Sequence, residues 1–250
     1  MTTLRVAACQ TPEILGDPEA ALTYIEDFAR RTDADLLLFP ECFLQGYLVD
    51  PAHVIHHAIN LESARFATIR KRLEPIGPTL VFGMIEEDAG DYFNSVVVVT
   101  RGRLEGRYRK TCLMPGESVF TPGTEYPTFK INGIRYGISI CSDTQHPEPA
   151  AHVAAQGARM LLVSAQNMMR RPTAERWKDE HHRMRIERAR ETGMWLVSSD
   201  VTGTRGEDRI GYGPTSVISP TGVVVTQVPL LTTGTAIAEL FGDDEAQGFR

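Results

Sequence analysis

Strands with two different kinds of connection share this chain, and that mixture constrains its fold more than any other feature. Some neighbours are joined by tight turns. Tyr92–Thr100 and Leu104–Arg109 flank Arg101-Gly102, Thr128–Ile131 and Ile134–Ile140 flank Asn132-Gly133, and Ser216–Ser219 and Val223–Gln227 flank Pro220-Thr221-Gly222. Asn-Gly suits the two left-handed positions of a hairpin turn. Other strands need crossovers. Leu4–Cys9, Asp35–Phe39, Thr79–Ile85, Met160–Val163 and Met194–Ser198 are short apolar runs set apart by longer segments, several of them amphipathic and of helical length. Thr235–Leu240 completes the set. One sheet covered by helices on both faces would use about half of these strands. Two sheets packed face to face, with helices outside, use all of them. The expected fold class is therefore α/β, a four-layer α-β-β-α sandwich of two mixed sheets.

The helices are marked by their ends. Asp17 caps a helix that has Pro18 at its first position and runs to Arg31. Pro51 to Leu73 reads as one helix, Pro147 to Gly157 as another, and Arg176–Thr192 as a long one with Gly193 at its C-cap. Lys110–Thr124, rich in Pro and Gly, reads as an irregular loop. With no repeat, linker or low-complexity tract, residues 1–250 read as a single domain. Hydrophobic residues at 42% are enough to bury a core and too many for a disordered chain. A net charge of −6 without a basic patch argues against a nucleic-acid partner. The N-terminus lacks a signal-peptide layout, and no run nears the roughly 18 apolar residues of a membrane span, so a cytoplasmic location is expected. Cys9, Cys42, Cys112 and Cys141 form no CxxC pair, which removes zinc-ribbon and thioredoxin-type sites.

At three strand ends a reactive side chain follows at once. Glu41 follows DLLLFP, Lys110 follows LEGRYR and Cys141 follows RYGISI. They stand 69 and 31 residues apart, so only folding can gather them. Each residue type has a chemical reason to be at one spot. An amide carbonyl is a poor electrophile and needs a strong nucleophile. A thiolate is one, but an ordinary thiol titrates near about pH 8.5 and is mostly protonated at neutral pH. Glu41 can take that proton as attack proceeds, then protonate the leaving amine and activate water. The oxyanion of the tetrahedral intermediate needs charge or N–H donors in place beforehand. Lys110 supplies the charge, and the backbone N–H of Ser142 supplies a donor.

The segments around these residues resemble the carbon–nitrogen hydrolase (nitrilase) superfamily. FPECFLQGY is similar to its glutamate motif, YRKTCLMPGESVFTPG to its lysine motif and GISICSDTQHPE to its nucleophile motif, in family order. Weaker similarity continues through QGARMLLVSAQN, RARETGMWLVSSDVTG and GPTSVISPTG. The resemblance implies the α-β-β-α sandwich, a Glu-Lys-Cys triad, no metal, no organic cofactor, and homodimers or larger homo-oligomers. It also implies that Glu117 positions the lysine or the substrate and assists proton transfer. Ser142 and His146 stand where the family often carries an aromatic residue and a Phe, so a different acyl-pocket shape is expected, and the tail beyond Leu240 is short for the family, so a different oligomer is an expectation too.

Other residues are candidates for holding the substrate. His146, five residues past Cys141, is expected at the pocket mouth. Asn167, Met168, Arg170 and Arg171 follow the strand after the nucleophile helix, where loops tend to line sites. A guanidinium there could pair with a substrate carboxylate. His53, His56 and His57 have metal-like helical spacing but no carboxylate or thiol partner, so a structural trio is favoured. Cys9 reads as a buried apolar residue, and strand alternation turns Cys42 and Cys112 away from the site. The expected function is hydrolysis of a small amide or N-carbamoyl compound through a cysteine thioester. Nitrile hydrolysis, amide-forming acyl transfer and a non-catalytic binding protein on the same fold are the alternatives.

Overall fold

The computed structural model describes residues 3–241; the short C-terminal tail noted above lies outside the described residues. The first half of the chain runs β1 (Thr3–Pro12), α1 (Pro18–Arg31), β2 (Leu36–Leu38), α2 (Pro51–His57), α3 (Ala64–Leu73), β3 (Thr79–Asp88), β4 (Asp91–Thr100) and β5 (Arg103–Arg109). Next come β6 (Phe129–Ile131), β7 (Ile134–Ile140), a 3-10 turn (Cys141–Gln145), α4 (Pro147–Ala155), β8 (Met160–Ser164), β9 (Met169–Arg170) and α5 (Arg171–Thr192). The chain closes with β10 (Trp195–Ser199), β11 (Val201–Arg205), β12 (Arg209–Tyr212), β13 (Ser216–Ile218), β14 (Val224–Gln227) and β15 (Gly234–Phe241).

Both sheets are mixed. The nine-stranded sheet runs β5-β4-β3-β2-β1-β11-β12-β9, with β15 also paired to β1. Within it β1, β2 and β3 are parallel, whereas β3, β4 and β5 form an antiparallel meander. The six-stranded sheet runs β14-β13-β10-β8-β7-β6, with β7, β8 and β10 parallel at its centre. Strand alternation then builds the layers. Leu4, Val6, Leu36, Leu38, Val81 and Val96 of the first sheet face Ile138, Ile140, Met160, Leu162 and Val197 of the second in one buried core. The opposite face of the first sheet packs Ala7, Leu37 and Phe82 against Leu22 and Ile25 of α1 and Phe66 and Ile69 of α3. The opposite face of the second packs Leu161, Val163 and Leu196 against Val153 of α4 and Ala189 of α5. The result is the four-layer α-β-β-α sandwich. Among the described residues no helix is long and apolar enough to cross a membrane.

Three local features differ from the sequence expectation. Pro51 to Leu73 is two helices, because the chain between them pairs with the first sheet. Ile59 donates to the Ile85 carbonyl at 3.1 Å and accepts from Glu87 at 3.2 Å, and the Ser63 hydroxyl then caps α3 by accepting from the Phe66 N–H. The long helix begins at Arg171, five residues before the expected Arg176, with Pro172 in its first turn. Residues 201–212 form a hairpin, β11–β12, docked parallel to the end of β1. Its polar, Gly-containing strands lack the apolar alternation that marks the others. The cap at Gly193 is as expected, with a left-handed φ of 65° and its N–H bonded to the Ala189 carbonyl.

Candidate active site

The Glu41 turn is stitched to both sheets. After β2, Phe39 N–H bonds to the Val81 carbonyl at 2.8 Å, Gly83 N–H to the Pro40 carbonyl at 3.1 Å and Leu44 N–H to the Gly83 carbonyl at 3.0 Å. Gly83 is required here, because a Cβ on it would sit 2.3 Å from the Cys42 backbone nitrogen. From the second sheet, Ser164 Oγ donates to the Phe39 carbonyl at 2.8 Å, and Ala165 accepts the Glu41 N–H at 3.3 Å. Lys110 leaves β5 with its N–H on the Asn94 carbonyl at 2.9 Å and its own carbonyl accepting from Gly123 at 2.8 Å. Cys141 leaves β7 with a left-handed φ of 41°, and Cys42 has a φ of 46°. Few non-glycine residues adopt such angles, and they concentrate where a chain must aim a side chain.

The side chains of Glu41, Lys110 and Glu117 meet out of water. Lys110 Nζ donates to Glu41 Oε1 and to Glu117 Oε1, both at 2.8 Å, and each of the three residues is 1% exposed. Asn94 Nδ2 also donates to Glu41 Oε1, at 2.7 Å, and the Cys42 thiol donates to Asn94 Oδ1 at 3.4 Å. Glu117 is fully engaged, since Oε1 accepts from Tyr47 OH at 2.8 Å and Oε2 from the Met114 N–H at 2.6 Å. Glu41 is not. Its Oε2 is buried without a hydrogen-bond partner among the described residues. Cys141 is half-buried, and its Sγ donates to Asn167 Oδ1 at 3.7 Å.

Two carboxylates and one ammonium in a low-dielectric site leave an excess negative charge, and the protonation states follow from it. Burial drives the Glu41 carboxyl up to about 7 against the pull of Lys110, with Glu117 pushing the same way. Burial and the Glu41 charge likewise push the Cys141 thiol well above its ordinary range, with Lys110 only partly opposing them. Burial would lower Lys110, but Glu41, Cys141 and Glu117 outweigh it and hold the ammonium charged. Cys141 thus rests as a thiol, under the influence of a carboxyl balanced near neutrality and a permanent cation.

Asp143 and Asp200 complete the site, and neither is singled out by sequence reasoning. Asp143, 1% exposed, accepts from Cys112 N–H at 2.8 Å and Thr111 N–H at 3.3 Å on Oδ1, and from Ile140 N–H and Tyr108 OH at 2.8 Å on Oδ2. It ties the residues flanking Lys110 to the turn that carries Cys141. Asp200 follows β10 as Glu41 follows β2, so the strand-end signal was present in WLVSSD. Asn94 showed only as a polar residue in an apolar strand. Among the expected substrate contacts, Asn167 touches Cys141. Ser142 lies next to it with its hydroxyl donated to the Cys112 carbonyl at 2.5 Å. His146 is exposed at the start of α4. Arg170 is exposed in β9 opposite Arg209, and the Arg171 guanidinium donates to the Glu207 carbonyl at 2.7 Å. The imidazoles of His53 and His57 lie 4.5 Å apart on α2, with His53 Nε2 3.0 Å from the Gly46 carbonyl. Cys42 lies beneath Glu41 through Asn94, in a turn rather than a strand, so the alternation expected to turn it away does not operate there.

Fold, strand-end residues and buried acid–ammonium pair define a hydrolase of the nitrilase superfamily. The chain belongs to the carbon-nitrogen hydrolase family, whose model matches residues 5–244, and it is an enzyme acting on C–N bonds. An (R)-stereoselective amidase of Pseudomonas sp. is 30% identical over 77% of this chain and 68% of its own length. A glutamate-to-glutamine variant of an amidase from Nesterenkonia sp. AN1, with the acetamide moiety of fluoroacetamide added covalently at its active-site cysteine, is 25% identical. It superposes with a TM-score of 0.79 over 95% of this chain and 90% of that one. A glutamine-dependent NAD+ synthetase from Acinetobacter baumannii shares the fold, with a TM-score of 0.82 at 22% identity. This chain spans only 46% of that longer protein.

Proposed function

We propose that this enzyme hydrolyses small amides, with N-carbamoyl amines within the same chemistry, through a thioester on Cys141. The observation that carries the reading is the asymmetry of Glu41. One oxygen is pinned by Lys110 and Asn94, the other is buried without a hydrogen-bond partner among the described residues, and the Glu41 charge acts on the Cys141 thiol, which needs a base. The S–H bond breaks toward Glu41 Oε2 while sulfur bonds to the carbonyl carbon and the C=O π electrons move onto oxygen. The Lys110 ammonium and the backbone N–H of Ser142 stabilise that oxyanion. Backbone N–H groups in the first turn of a helix have no intrahelical acceptor. As the oxyanion collapses, the C–N bond breaks and Glu41 returns the proton to nitrogen, releasing ammonia or an amine. Water then adds to the thioester, Glu41 takes its proton, and breaking the C–S bond restores the thiol and frees the acid. Glu117 holds the ammonium in place through both steps.

The similar amidase whose cysteine takes up the acetamide moiety of fluoroacetamide supports a nucleophilic Cys141 here; that adduct keeps its amide and is an alkyl group on sulfur, so the thioester itself is left to the test below. The test combines ammonia release from panels of amides, N-carbamoyl amines and nitriles with intact-protein mass spectrometry. Cys141→Ala is expected to lower amide turnover by about a thousand-fold or more while keeping the wild-type melting temperature. Wild-type enzyme quenched during turnover is expected to carry an adduct of acyl mass on Cys141, and Glu41→Gln, which lacks the base and acid of acylation, is expected to lose turnover without that adduct. Amide turnover retained in Cys141→Ala would overturn the reading, and release of ammonia from nitriles alone would move the enzyme to nitrile hydrolysis.

A further inference from the structure

Asn167 meets the nucleophile with one end only. Its backbone N–H donates to Asp200 Oδ1 at 2.9 Å, and its side-chain Nδ2 donates to Asp200 Oδ2 at 2.5 Å. A carboxylate only accepts, so the amide group must present its NH2 to Asp200 and its oxygen to the other side. That oxygen accepts from Cys141 Sγ. Asp200 is itself held. Oδ1 accepts from Val201 N–H at 2.9 Å and Oδ2 from Arg185 at 3.2 Å, while Arg185 also donates to the Pro214 carbonyl at 2.6 Å. Exposure is 7% for Asn167, 2% for Arg185 and 0% for Asp200. A flipped amide would set oxygen against oxygen with no water to relieve it.

The fixed acceptor changes partners during the reaction. In the resting enzyme the thiol hydrogen satisfies it. Once sulfur bonds to carbon and the proton passes to Glu41, Asn167 Oδ1 has lost its donor, and the groups on the reacting carbon now stand beside sulfur. A primary amide brings N–H bonds to that carbon. An ester brings an oxygen that can only accept. We propose that Asn167, locked by Asp200 and Arg185 into offering only an acceptor beside Sγ, selects substrates that carry N–H on the reacting carbon, primary amides over the matching esters. The inference rests on the thioester reading above and states what that site demands of its substrate. Because the contact forms only after the S–H bond is gone, it acts on acylation rather than on substrate binding.

The measurement is kcat/KM for a primary amide and the methyl ester of the same acid, expressed as a ratio within each enzyme preparation, so that a partly unfolded sample leaves it unchanged. Asn167→Leu, which keeps the branching and heavy-atom count of asparagine, and Asn167→Ala should each lower the amide-over-ester ratio by about tenfold or more. Asp200→Asn should lower it as well, because the released amide can turn. Adding Asp200→Asn to Asn167→Leu should then change the ratio by less than about twofold, since the carboxylate acts through Asn167. Turnover lost in Cys141→Ala together with an unchanged ratio in both Asn167 variants overturns the inference alone. A fully additive Asp200→Asn effect overturns the locking. Turnover retained in Cys141→Ala removes the thioester reading, and the inference with it.

Discussion

In the proposed mechanism Glu41 must stay charged enough to accept a proton, while burial favours its neutral form, and its position near 7 lies between the two. Only the ionised form can take the thiol proton, so kcat/KM should fall about tenfold per pH unit below about 7. Lys110 and Cys141 titrate far above neutrality, so no second limb is expected up to about pH 9; a full pH–rate profile checks both statements. The midpoint belongs to the acid–ammonium cluster as a whole. The same shift has a consequence for folding. Glu41 titrates at an ordinary 4.5 in the unfolded chain and at about 7 in the folded one, so the folded state binds more protons between those values. Its contribution to stability is full below pH 4.5 and is lost as pH rises through about 7. Glu41→Gln carries no such titration, so the variant should gain on wild type in denaturation midpoint between pH 5 and pH 8. A constant difference over that range would show that Glu41 does not titrate there. Asp143 makes a separate prediction, because its two oxygens accept from four backbone or phenolic donors. Asp143→Asn turns an NH2 group toward one set of those donors. A loss of about 2–3 kcal/mol by urea denaturation is expected, together with a lower kcat.

At the scale of elements, the site depends on how strands end. β5, β7 and β10 each stop one residue short of a residue of the site and β2 stops three short of Glu41, and the segments beyond β2 and β5 are tied across to neighbours. Gly83 shows how close that tie is. Gly83→Ala places a methyl group against the Cys42 and Pro40 backbone, where no flexible side chain can yield. The Glu41 turn must lift off β3, at about 1–3 kcal/mol of stability and with most of the activity lost. Wild-type turnover in Gly83→Ala would show that the turn tolerates the shift. These elements also explain what sequence alone could reveal. Strand ends followed by Glu, Lys and Cys were legible because apolar runs end abruptly in sequence. Hairpins were legible at Asn132-Gly133 and Pro220-Thr221-Gly222 because turn chemistry is local. The break between α2 and α3 was not, since it depends on Ile59 pairing with β3, a contact between distant segments. Arg185 was hidden for a related reason. One arginine among several on a charged helix gives no sign that its side chain is the one that reaches Asp200. Buried polar residues that orient others carry no periodic signature, and they were the largest part of the site left unread.

The whole molecule is a device for bringing two sheets to one place. Glu41 and Lys110 leave the nine-stranded sheet, and Cys141 and Asn167 follow strands of the six-stranded one. Asp200 sits where the chain passes from β10 in one sheet to β11 in the other. Glu41 and Cys141 therefore keep their separation only while the sheets stay docked, and the docking is done by the apolar core between them. This separates two kinds of core mutation that would otherwise look alike. Leu162 lies between the sheets, whereas Leu22 lies between the first sheet and its helices, and both are essentially buried. Leu162→Ala and Leu22→Ala should each cost about 2–5 kcal/mol. Their effects on catalysis should diverge. Relaxation around the Leu162 cavity changes the distance between the sheets, and a displacement of about 1 Å between reacting groups can cost a hundred-fold in rate. Relaxation around the Leu22 cavity moves α1 against a sheet whose position relative to its partner is unchanged. At a temperature where both variants remain folded, kcat should fall about tenfold or more in Leu162→Ala and stay within about twofold of wild type in Leu22→Ala. Equal losses in the two, at matched stability, would mean that the sheets do not set the catalytic distance.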